Sequence, residues 1–407
     1  MKTDRSYNLF TFFSLYIAQS IPMSFFATAL PVLMRQGNYS LWSIAMLKLI
    51  KLPWIFKFIW SPWIDNRTES VRDYKRWIIG AEIVYASLIL VVAHLNIKED
   101  FSLIIILVVF AFVASATQDI ATDAMAARAF PRKDSSLVNS MQTMGSFTGS
   151  MVGGGFLLLI FHQVGWGSLL PWVGIFVLIA LIPLSLNSKI ELRKQRAKEK
   201  AKTKDIYLFF KQKNSWKNVL FLSLFYSGLI GILSTLNPYM VDWQYGMKQI
   251  GVMVGVFGTF VGIVCSFLSG IFIRKIGKRR SRKGIAFFII IVATYFVWLS
   301  YSHHVSDITM LMGIALVWGV YGMATTMVYT TAMDSVREGR EGTDFTIQIV
   351  ITHLSSMIVA LGCSRFGDLF GFHRMFLLEV MFGVMAFIYV LNYNPEYRSQ
   401  HIEENHE

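Results

Sequence analysis

Two carboxylates, Asp119 and Asp123, lie four residues apart in a hydrophobic stretch of this 407-residue sequence. On an α-helix this spacing puts them about 40° apart on one face, which they share with Ser115, Thr122 and Ala126. Like charges this close oppose each other's ionisation, which suits a carboxylate that takes up and releases a proton. The alternative is a static ion pair between one of them and a lysine. The spacing therefore predicts either proton exchange or charge pairing in a hydrophobic setting.

Three lysines, Lys48, Lys51 and Lys57, lie in another hydrophobic stretch. Lys48 and Lys51 are about one helical turn apart and can point the same way. We interpret these two as an anion-binding pair, with internal pairing to a carboxylate as the alternative. Lys57 follows nine residues after Lys48, about 180° around an ideal helix. It is a further candidate for substrate contact, but we expect it to serve the end of the helix near Asp65 or to extend toward the membrane surface.

Other polar residues in hydrophobic stretches are candidates for the same two roles. A charge at the centre of a bilayer costs at least about 2.5–3.5 kcal/mol on insertion scales, so such a group must face water, find a partner or change protonation. Glu82 joins Asp119 and Asp123 as a candidate proton-coupling group. The remaining substrate-contact candidates, which could line one roomy polar cavity, are Gln19, Asn237, Trp318, Tyr321, Tyr329, Gln348 and His353. His353 is also a weak candidate for a proton relay, and a hydrogen-bonded packing histidine is the alternative.

The composition explains why these charges stand in a hydrophobic setting. The sequence is 54% hydrophobic and 15% charged, whereas an ordinary soluble domain is roughly 45–50% apolar and about 25% charged. This excludes a soluble globular protein of this size and a disordered chain. With only Cys265 and Cys363 available, a disulfide scaffold is excluded as well. The composition predicts an all-α integral membrane protein.

Twelve segments are long and apolar enough to be membrane helices, because about 20 apolar residues cross a bilayer. Six precede a charged stretch, near 8–34, 40–64, 77–96, 101–129, 136–162 and 166–187. Six follow it, near 217–241, 249–273, 283–302, 308–334, 344–364 and 374–393. We therefore expect an N-terminal six-helix bundle over 1–187, a basic linker over 188–216, a C-terminal six-helix bundle over 217–393 and a tail over 394–407.

The distribution of basic residues predicts the orientation. Most of the 38 Lys and Arg residues fall in loops on one side of the predicted helices, and the opposite side has only Arg35, Lys98, Lys248, Arg365 and Arg374. Loops rich in Lys and Arg face the cytoplasm, so we expect a multi-pass protein of the inner membrane with both termini and the linker cytoplasmic. This asymmetry accounts for the net charge of +13 without a nucleic-acid partner. Within the linker, residues 206–210 with Lys211 and Lys213 suit a short helix on the membrane surface, and a partly disordered tether is the alternative.

The two groups of helices carry related loops. Ser61-Pro-Trp-Ile-Asp65-Asn-Arg67 follows helix 2, and Gly270-Ile-Phe-Ile-Arg274-Lys275-Ile-Gly277 follows helix 8. Both resemble the cytoplasmic loop signature of the major facilitator superfamily, although the first begins with serine and the second has Arg274 at the acidic position. This duplication predicts the major facilitator fold of two six-helix halves. We expect Asp65 to meet the positive N-terminal end of a helix from the other half, so that Asp65, Arg67, Gly270, Arg274 and Lys275 form gating loops.

Three motifs resemble the peptide–acetyl-coenzyme A transporter family, which includes the AmpG muropeptide permeases. They are residues 52–65, 116–124 and 342–348. The segment 25–35 resembles the compact RhtX/FptX-type siderophore importers. The resemblance implies a secondary transporter that imports a large polar or anionic solute with protons. We expect it to act as a monomer in the lipid bilayer and without a cofactor. Siderophores and muropeptides are the expected solutes, and an acyl-CoA or another anion is the alternative.

A membrane enzyme and a transport-derived sensor are the two rival functional classes. A membrane enzyme would use Asp119 and Asp123 as metal ligands or as acid and base, but no second cluster of acidic or His residues and no nucleophile motif accompanies them. A transport-derived sensor would need a signalling domain, for which the tail is too short. Stripes of small residues, such as Gly145, Gly149 and Gly153, predict close helix packing.

Overall fold

The computed structural model describes residues 2–36, 47–97, 99–194, 201–302 and 304–393, apart from the side chains of residues 2–4, 48 and 162. Several predicted features therefore lie wholly or partly outside the described residues. They include the start of helix 2, the Lys48 side chain, Lys98, the linker at 195–200 and the tail over 394–407.

The described residues form helices over the predicted membrane segments, with short interruptions, and we label these helices α1 to α12. In the N-terminal half they are α1 (Lys2–Gln36), α2 (four short segments described below), α3 (Val71–Ala93), α4 (Phe101–Ala129), α5 (Ser135–Met151, Val152–Phe156 and Leu157–Val164) and α6 (Trp166–Ala180 and Ile182–Leu186). In the C-terminal half they are α7 (Ser215–Leu224 and Ser227–Asp242), α8 (Met247–Ile250, Gly251–Gly258 and Thr259–Ile276), α9 (Lys278–Tyr301), α10 (Asp307–Asp334), and α11 and α12 within the run Glu341–Asn392. A separate linker helix spans Lys204–Phe210.

The long run Glu341–Asn392 is two helices that meet at a turn. Gly371 has φ of 80°, a left-handed conformation that glycine adopts without the steric cost of a side chain. It separates α11 (341–370) from α12 (372–392). Ten stretches of the described residues are long and apolar enough to cross a membrane, and this run is one of them. Together with α2, they form the predicted all-α membrane architecture of twelve helices.

Helix α2 is not one regular α-helix. Its described part consists of a 3₁₀ segment at Leu47–Lys51, an α segment at Leu52–Phe56, a 3₁₀ segment at Lys57–Ile59 and an α segment at Ser61–Asp65. Pro53 and Pro62 stand at the beginnings of the two α segments, where a missing N–H is tolerated. A 3₁₀ helix has about 3.0 residues per turn. Angles counted along an ideal α-helix therefore do not apply to the lysines of α2.

The small residues of α5 bring it very close to α1. A Cβ atom added at Gly145 would lie 2.6 Å from Cβ of Tyr16, and one added at Gly149 would lie 2.2 Å from Cβ of Ser20. At Gly153 the added atom would lie 2.2 Å from a backbone carbonyl of α1. The prediction that this stripe is a packing surface is confirmed.

We name the two ends of the bundle by their residues. The linker end holds the linker helix, the N-termini of α1, α5 and α11, and the C-terminus of α10. The far end holds the C-terminus of α1 and the connections between α7 and α8 and between α11 and α12.

Candidate functional site

A buried ion pair connects α2 to α4. Lys57 Nζ contacts the Asp119 carboxylate, and the two side chains are only 1% and 2% exposed. Asp119 also accepts a hydrogen bond of 2.9 Å from Gln19 Nε2 of α1, and the ammonium group lies 4.8 Å from the ring centroid of Trp54. The expectation that Lys57 extends toward the membrane surface is wrong, because the short segments of α2 turn this lysine into the bundle.

Asp123 lies one turn along α4 and is held by neutral donors. Tyr16 donates from its hydroxyl at 2.7 Å, and Gln142 of α5 donates from Nε2 at 3.1 Å. Asp123 is fully buried and makes no ion pair among the described residues. The two helix-4 carboxylates therefore differ chemically, since one has a cation as partner and the other has only dipoles.

The same cluster faces a space between the two halves. His353 of α11 is exposed, yet it is close enough to Lys51, Lys57 and Asp119 for their charges to act on it. Tyr329 of α10 is half-buried and within electrostatic reach of Asp119 and other members of the cluster. An exposed histidine among buried charges indicates an internal cavity rather than the lipid surface. Lys51 is exposed as well, and its charge also acts on His353.

Aromatic rings form one wall of the contact between the halves. Phe147 of α5 stacks on Tyr321 of α10 with centroids 5.6 Å apart and meets Trp318 edge-on at 5.7 Å. Tyr226 of α7 meets Tyr321 edge-on at 5.8 Å. Nε1 of Trp318 is buried without a hydrogen-bond partner among the described residues, which leaves a donor for a guest molecule or water.

Three predicted site residues lie outside this cluster. Gln348 is fully buried, where it accepts a hydrogen bond from Asn218 Nδ2 and donates to the carbonyls of Ala332 and Asp344 at 3.0 Å each. It therefore ties α11 to α7 and α10 instead of lining a cavity. Asn237 of α7 is exposed and makes no contact with the charged cluster among the described hydrogen bonds.

Glu82 of α3 is the third of these residues. Its side chain is fully buried, and neither carboxylate oxygen has a hydrogen-bond partner among the described residues. A buried, unpartnered carboxylate would be costly in its charged form. The arrangement is compatible with a neutral carboxyl group, and a proton-coupling role for Glu82 stays a prediction.

At the linker end, Asp65 contacts the beginning of α11 in the other half. Its carboxylate accepts hydrogen bonds from the backbone N–H of Gly342 at 2.9 Å and of Thr343 at 2.7 Å, and from the Thr343 hydroxyl at 2.6 Å. The first N–H groups of a helix have no partner within the helix and carry partial positive charge. The predicted contact of Asp65 with a helix N-terminus is confirmed.

Further polar contacts join the halves at this end. Arg274 Nε lies 2.6 Å from Oδ1 of Asp134. The arginine at the acidic motif position therefore forms an ion pair with a carboxylate of the other half. Asp334 accepts a hydrogen bond of 2.9 Å from Ser135 Oγ of the other half and one of 2.6 Å from Lys278 Nζ of its own half. These contacts close the linker end.

The other gating-loop residues differ in their surroundings. The Gly270 carbonyl accepts a hydrogen bond of 2.9 Å from Ser136 Oγ, and a Cβ atom at Gly270 would lie 2.5 Å from Oγ of Ser140. This glycine therefore allows α8 and α5 to touch across the halves. Lys275 and Arg67 are exposed, and Arg67 covers the ring of a neighbouring tryptophan.

The sequence profile described as Major Facilitator Superfamily matches residues 8–360. This chain belongs to the major facilitator superfamily.

Several relatives in this superfamily are similar along much of the chain. The anhydromuropeptide permease of Escherichia coli (strain K12) is 23% identical over 274 residues, which are 65% of this chain and 55% of the permease. The match thus spans little more than half of that relative. The transporter named AmpG 4 of Rickettsia conorii is 20% identical over 407 residues, with 96% of this chain and 97% of that protein covered.

Solved structures support the fold of this superfamily member. A bacterial homologue of the iron transporter ferroportin, in an outward-facing state, is 15% identical with a TM-score of 0.70, covering 95% of this chain and 98% of that chain. The human organic anion transporter MFSD10 is 12% identical with a TM-score of 0.75, covering 95% and 99%. At this level of identity the likeness concerns the fold alone.

Sequence reasoning did not single out several residues of this superfamily member. Tyr16 and Gln142 hold Asp123, while Asp334 belongs to the closed end. The sequence carries one signal for Tyr16, because it lies three residues before Gln19 and so on the same face of α1. Gln142 carries no comparable signal. Among the described residues no group of three or more His, Cys, Asp and Glu side chains is arranged to hold a metal ion.

Proposed function

We propose that this superfamily member is a proton-coupled secondary transporter that moves a large polar, anionic solute by alternating access of its two halves. The observation that carries the proposal is the buried Lys57–Asp119 pair, with a second carboxylate one turn away and an internal space on its other side. Charges are expensive in a membrane, and those that are retained usually belong to substrate or proton pathways. A site between two repeated halves suits alternating access.

The pair can couple a proton to an anion through competition for one lysine. While Asp119 is ionised, it occupies the ammonium group of Lys57. A proton on Asp119 cancels that charge, and Lys57 can then bind an anionic group of the solute. Proton and anion therefore favour each other's binding and travel in the same direction. Asp123 supplies a neighbouring carboxylate that can pass or hold the proton, and Lys51 and His353 border the same space.

The solute class is inferred from the relatives and from the lining. A permease for anhydromuropeptides is among the relatives, and a muropeptide has sugars and carboxylates that the polar and charged residues could bind. The aromatic wall of Trp318 and Tyr321 suits a sugar ring or another planar group. A siderophore is the second candidate because of the resemblance of segment 25–35, and an acyl-CoA or another anion is the alternative. We regard a membrane enzyme as the weaker hypothesis, since the relatives with a named activity are a permease and transporters.

We further propose a multi-pass location in the inner membrane, with a monomer as the working unit and both termini and the linker cytoplasmic. The support is the basic character of the linker end, since loops rich in Lys and Arg stay on the cytoplasmic side. With this orientation, the linker end closed by Asp65 is the cytoplasmic gate. The solute would then enter from the far end.

The test is uptake into proteoliposomes with and without an imposed pH gradient, acidic on the side of the solute. An anhydromuropeptide and a ferric siderophore serve as labelled solutes. We expect the gradient to drive uptake of one of them by the wild-type protein. Asp119→Asn should abolish the response to the gradient, and Lys57→Ala should weaken solute binding.

Asp242, an exposed carboxylate of the far end, provides a control. Asp242→Asn changes charge in the same way as Asp119→Asn, and its uptake should remain that of the wild type. Uptake that ignores the gradient in every variant would contradict proton coupling. Solute binding unchanged by Lys57→Ala would contradict the anion site.

A further inference from the structure

The linker helix Lys204–Phe210 has an inward face that is anchored to the protein. Asp205 and Phe209, four residues apart, are 6% and 2% exposed. Since residues at this spacing share one face of a helix, the linker helix is seated on the bundle by one side only.

Asp205 connects this seat to the gate. Its carboxylate lies 2.8 Å from Nε of Arg340 and 3.7 Å from Nη1 of Arg337, and Arg337 also donates to the Asp205 carbonyl at 2.9 Å. Arg337 in turn holds Asp344 of α11 with contacts of 2.6 and 2.8 Å. Asp344 directly follows Thr343, which together with Gly342 donates hydrogen bonds to the Asp65 carboxylate. A displacement of the linker helix would therefore act on the closed end.

The residues before the linker helix are attached to the other half. The N–H of Ala201 donates to Asn66 Oδ1 at 3.2 Å, next to Asp65. Nη2 of Arg193 donates to the Ala127 carbonyl of α4 at 2.7 Å. The linker thus contacts both halves at the closed gate.

The outward face of this region combines aromatic rings with positive charge. Tyr207 is 58% exposed and Trp216, in the first turn of α7, is 65% exposed. Lys211 Nζ lies 4.9 Å from the Tyr207 ring. The exposed basic side chains are Lys202, Lys204, Lys211, Lys213 and Lys217. The single acidic residue of the helix, Asp205, is turned inward.

We propose that this face binds anionic phospholipids of the adjacent leaflet and that the bound lipid stabilises the closed linker end through Asp205. Because the linker helix ends only five residues before α7 enters the membrane, its outward face lies at the level of the headgroups. Aromatic residues prefer this level, and each lysine near an anionic surface adds an attraction that falls off within a Debye length. An acidic protein would match the lysines but not the position of Tyr207 and Trp216 at the edge of a membrane helix.

The binding test uses the full chain in nanodiscs of phosphatidylcholine with and without phosphatidylglycerol, and native mass spectrometry to count retained lipids. The wild-type protein should retain phosphatidylglycerol in preference to phosphatidylcholine. Substitution of Lys204, Lys211 and Lys217 by Gln should lower the affinity for phosphatidylglycerol by about tenfold or more. The matched control replaces three exposed basic residues of the far end, namely Arg35, Lys248 and Arg365, by Gln. If the linker variant retained as much phosphatidylglycerol as this control, the lipid site would be refuted.

The second readout measures the gate. Spin labels at Glu69 and Lys275, two exposed residues of opposite halves at the linker end, report the distance between the halves. Phosphatidylglycerol should increase the population with the short distance in the wild-type protein. Asp205→Asn should retain the bound lipid but lose this increase, and Asp205→Glu should restore it in part. An undiminished increase in Asp205→Asn would refute the coupling. Neither readout requires a transported solute, so these results are independent of the proposed transport activity.

Discussion

The Lys57–Asp119 pair allows a clear thermodynamic prediction. Replacement of either residue by a neutral one leaves the charge of its partner buried, and the two remaining charges have opposite signs. In Lys57→Met, Asp119 loses its cation and must bind a proton to stay buried. For a carboxyl group of ordinary acidity this costs about 4 kcal/mol at pH 7. Removal of one partner from buried pairs costs about 3–5 kcal/mol in other proteins. We therefore expect the free energy of unfolding to fall by about 4 kcal/mol.

The pH dependence has opposite signs in the two single variants. On acidification from pH 7 to about pH 5.5, the cost of protonating Asp119 in Lys57→Met should shrink by about 2 kcal/mol, since each pH unit corresponds to about 1.4 kcal/mol. In Asp119→Asn the buried Lys57 must lose its proton instead, and the cost of about 4–5 kcal/mol at pH 7 should grow by about 2 kcal/mol over the same interval. The double variant has neither charge and should lie within about 1 kcal/mol of the wild type at either pH.

The assay is unfolding in mixed micelles by increasing sodium dodecyl sulfate, followed by circular dichroism, for all four members of the cycle. A coupling energy of several kcal/mol between the two positions is the expected result. If both single variants changed with pH in the same direction, or if the double variant were as unstable as the sum of the singles, the buried pair would not exist as described.

Three further predictions concern the gate, the helix packing and the second carboxylate. Asp65→Asn removes the negative charge that accepts hydrogen bonds from the α11 N-terminus. It should raise the open-to-closed ratio at the linker end about 30-fold, the equivalent of about 2 kcal/mol. Spin-label distances across that end measure this ratio. Gly149→Ala should lower the free energy of unfolding by about 1–3 kcal/mol, because its Cβ would lie 2.2 Å from a side chain of α1. A Cβ atom at Gly155 would have no neighbouring atom within 4 Å. Tyr16→Phe takes a 2.7 Å donor from Asp123 and should cost about 1–3 kcal/mol in detergent unfolding at pH 7.

Each of these predictions has a matched control. Glu69→Gln neutralises an exposed carboxylate of the same loop as Asp65, and an equal opening in both variants would rule out a special role for Asp65. Gly149→Ala being as stable as Gly155→Ala would contradict the close contact of α5 with α1. Tyr301→Phe removes a hydroxyl from a ring that is 63% exposed, and Tyr16→Phe must be clearly less stable than this variant.

Much of the fold follows from local properties of the sequence. The run of apolar residues marks each membrane helix, and the loops between them carry the charges that lipid excludes. Asp65 was also accessible to sequence reasoning, because an acidic residue at the end of a membrane helix needs a donor and a helix N-terminus provides one. The packing stripe of α5 follows from the same kind of local pattern.

Which polar side chains pair with each other inside the bundle is harder to predict from the sequence. Ideal α-helical angles direct Lys57 away from Lys48 and toward the membrane surface, but the 3₁₀ segments of α2 turn it onto Asp119. Gln348 is polar and central in its helix, yet its hydrogen bonds go to neighbouring helices. Gln142 holds Asp123, although nothing around it in the sequence points to a carboxylate.

The sequence by itself determined that Asp119, Asp123 and the lysines of α2 need water, a partner or a proton, since no charge is stable alone in a hydrocarbon layer. It determined the duplicated loops as well, because their residues are contiguous. Only the tertiary structure decided that Lys57 is the lysine that pairs, that Asp123 has neutral donors and that Arg274 reaches Asp134. These contacts depend on the rotation of each helix segment and on which faces of α1, α4 and α5 meet, and both arise from packing between residues far apart in the chain.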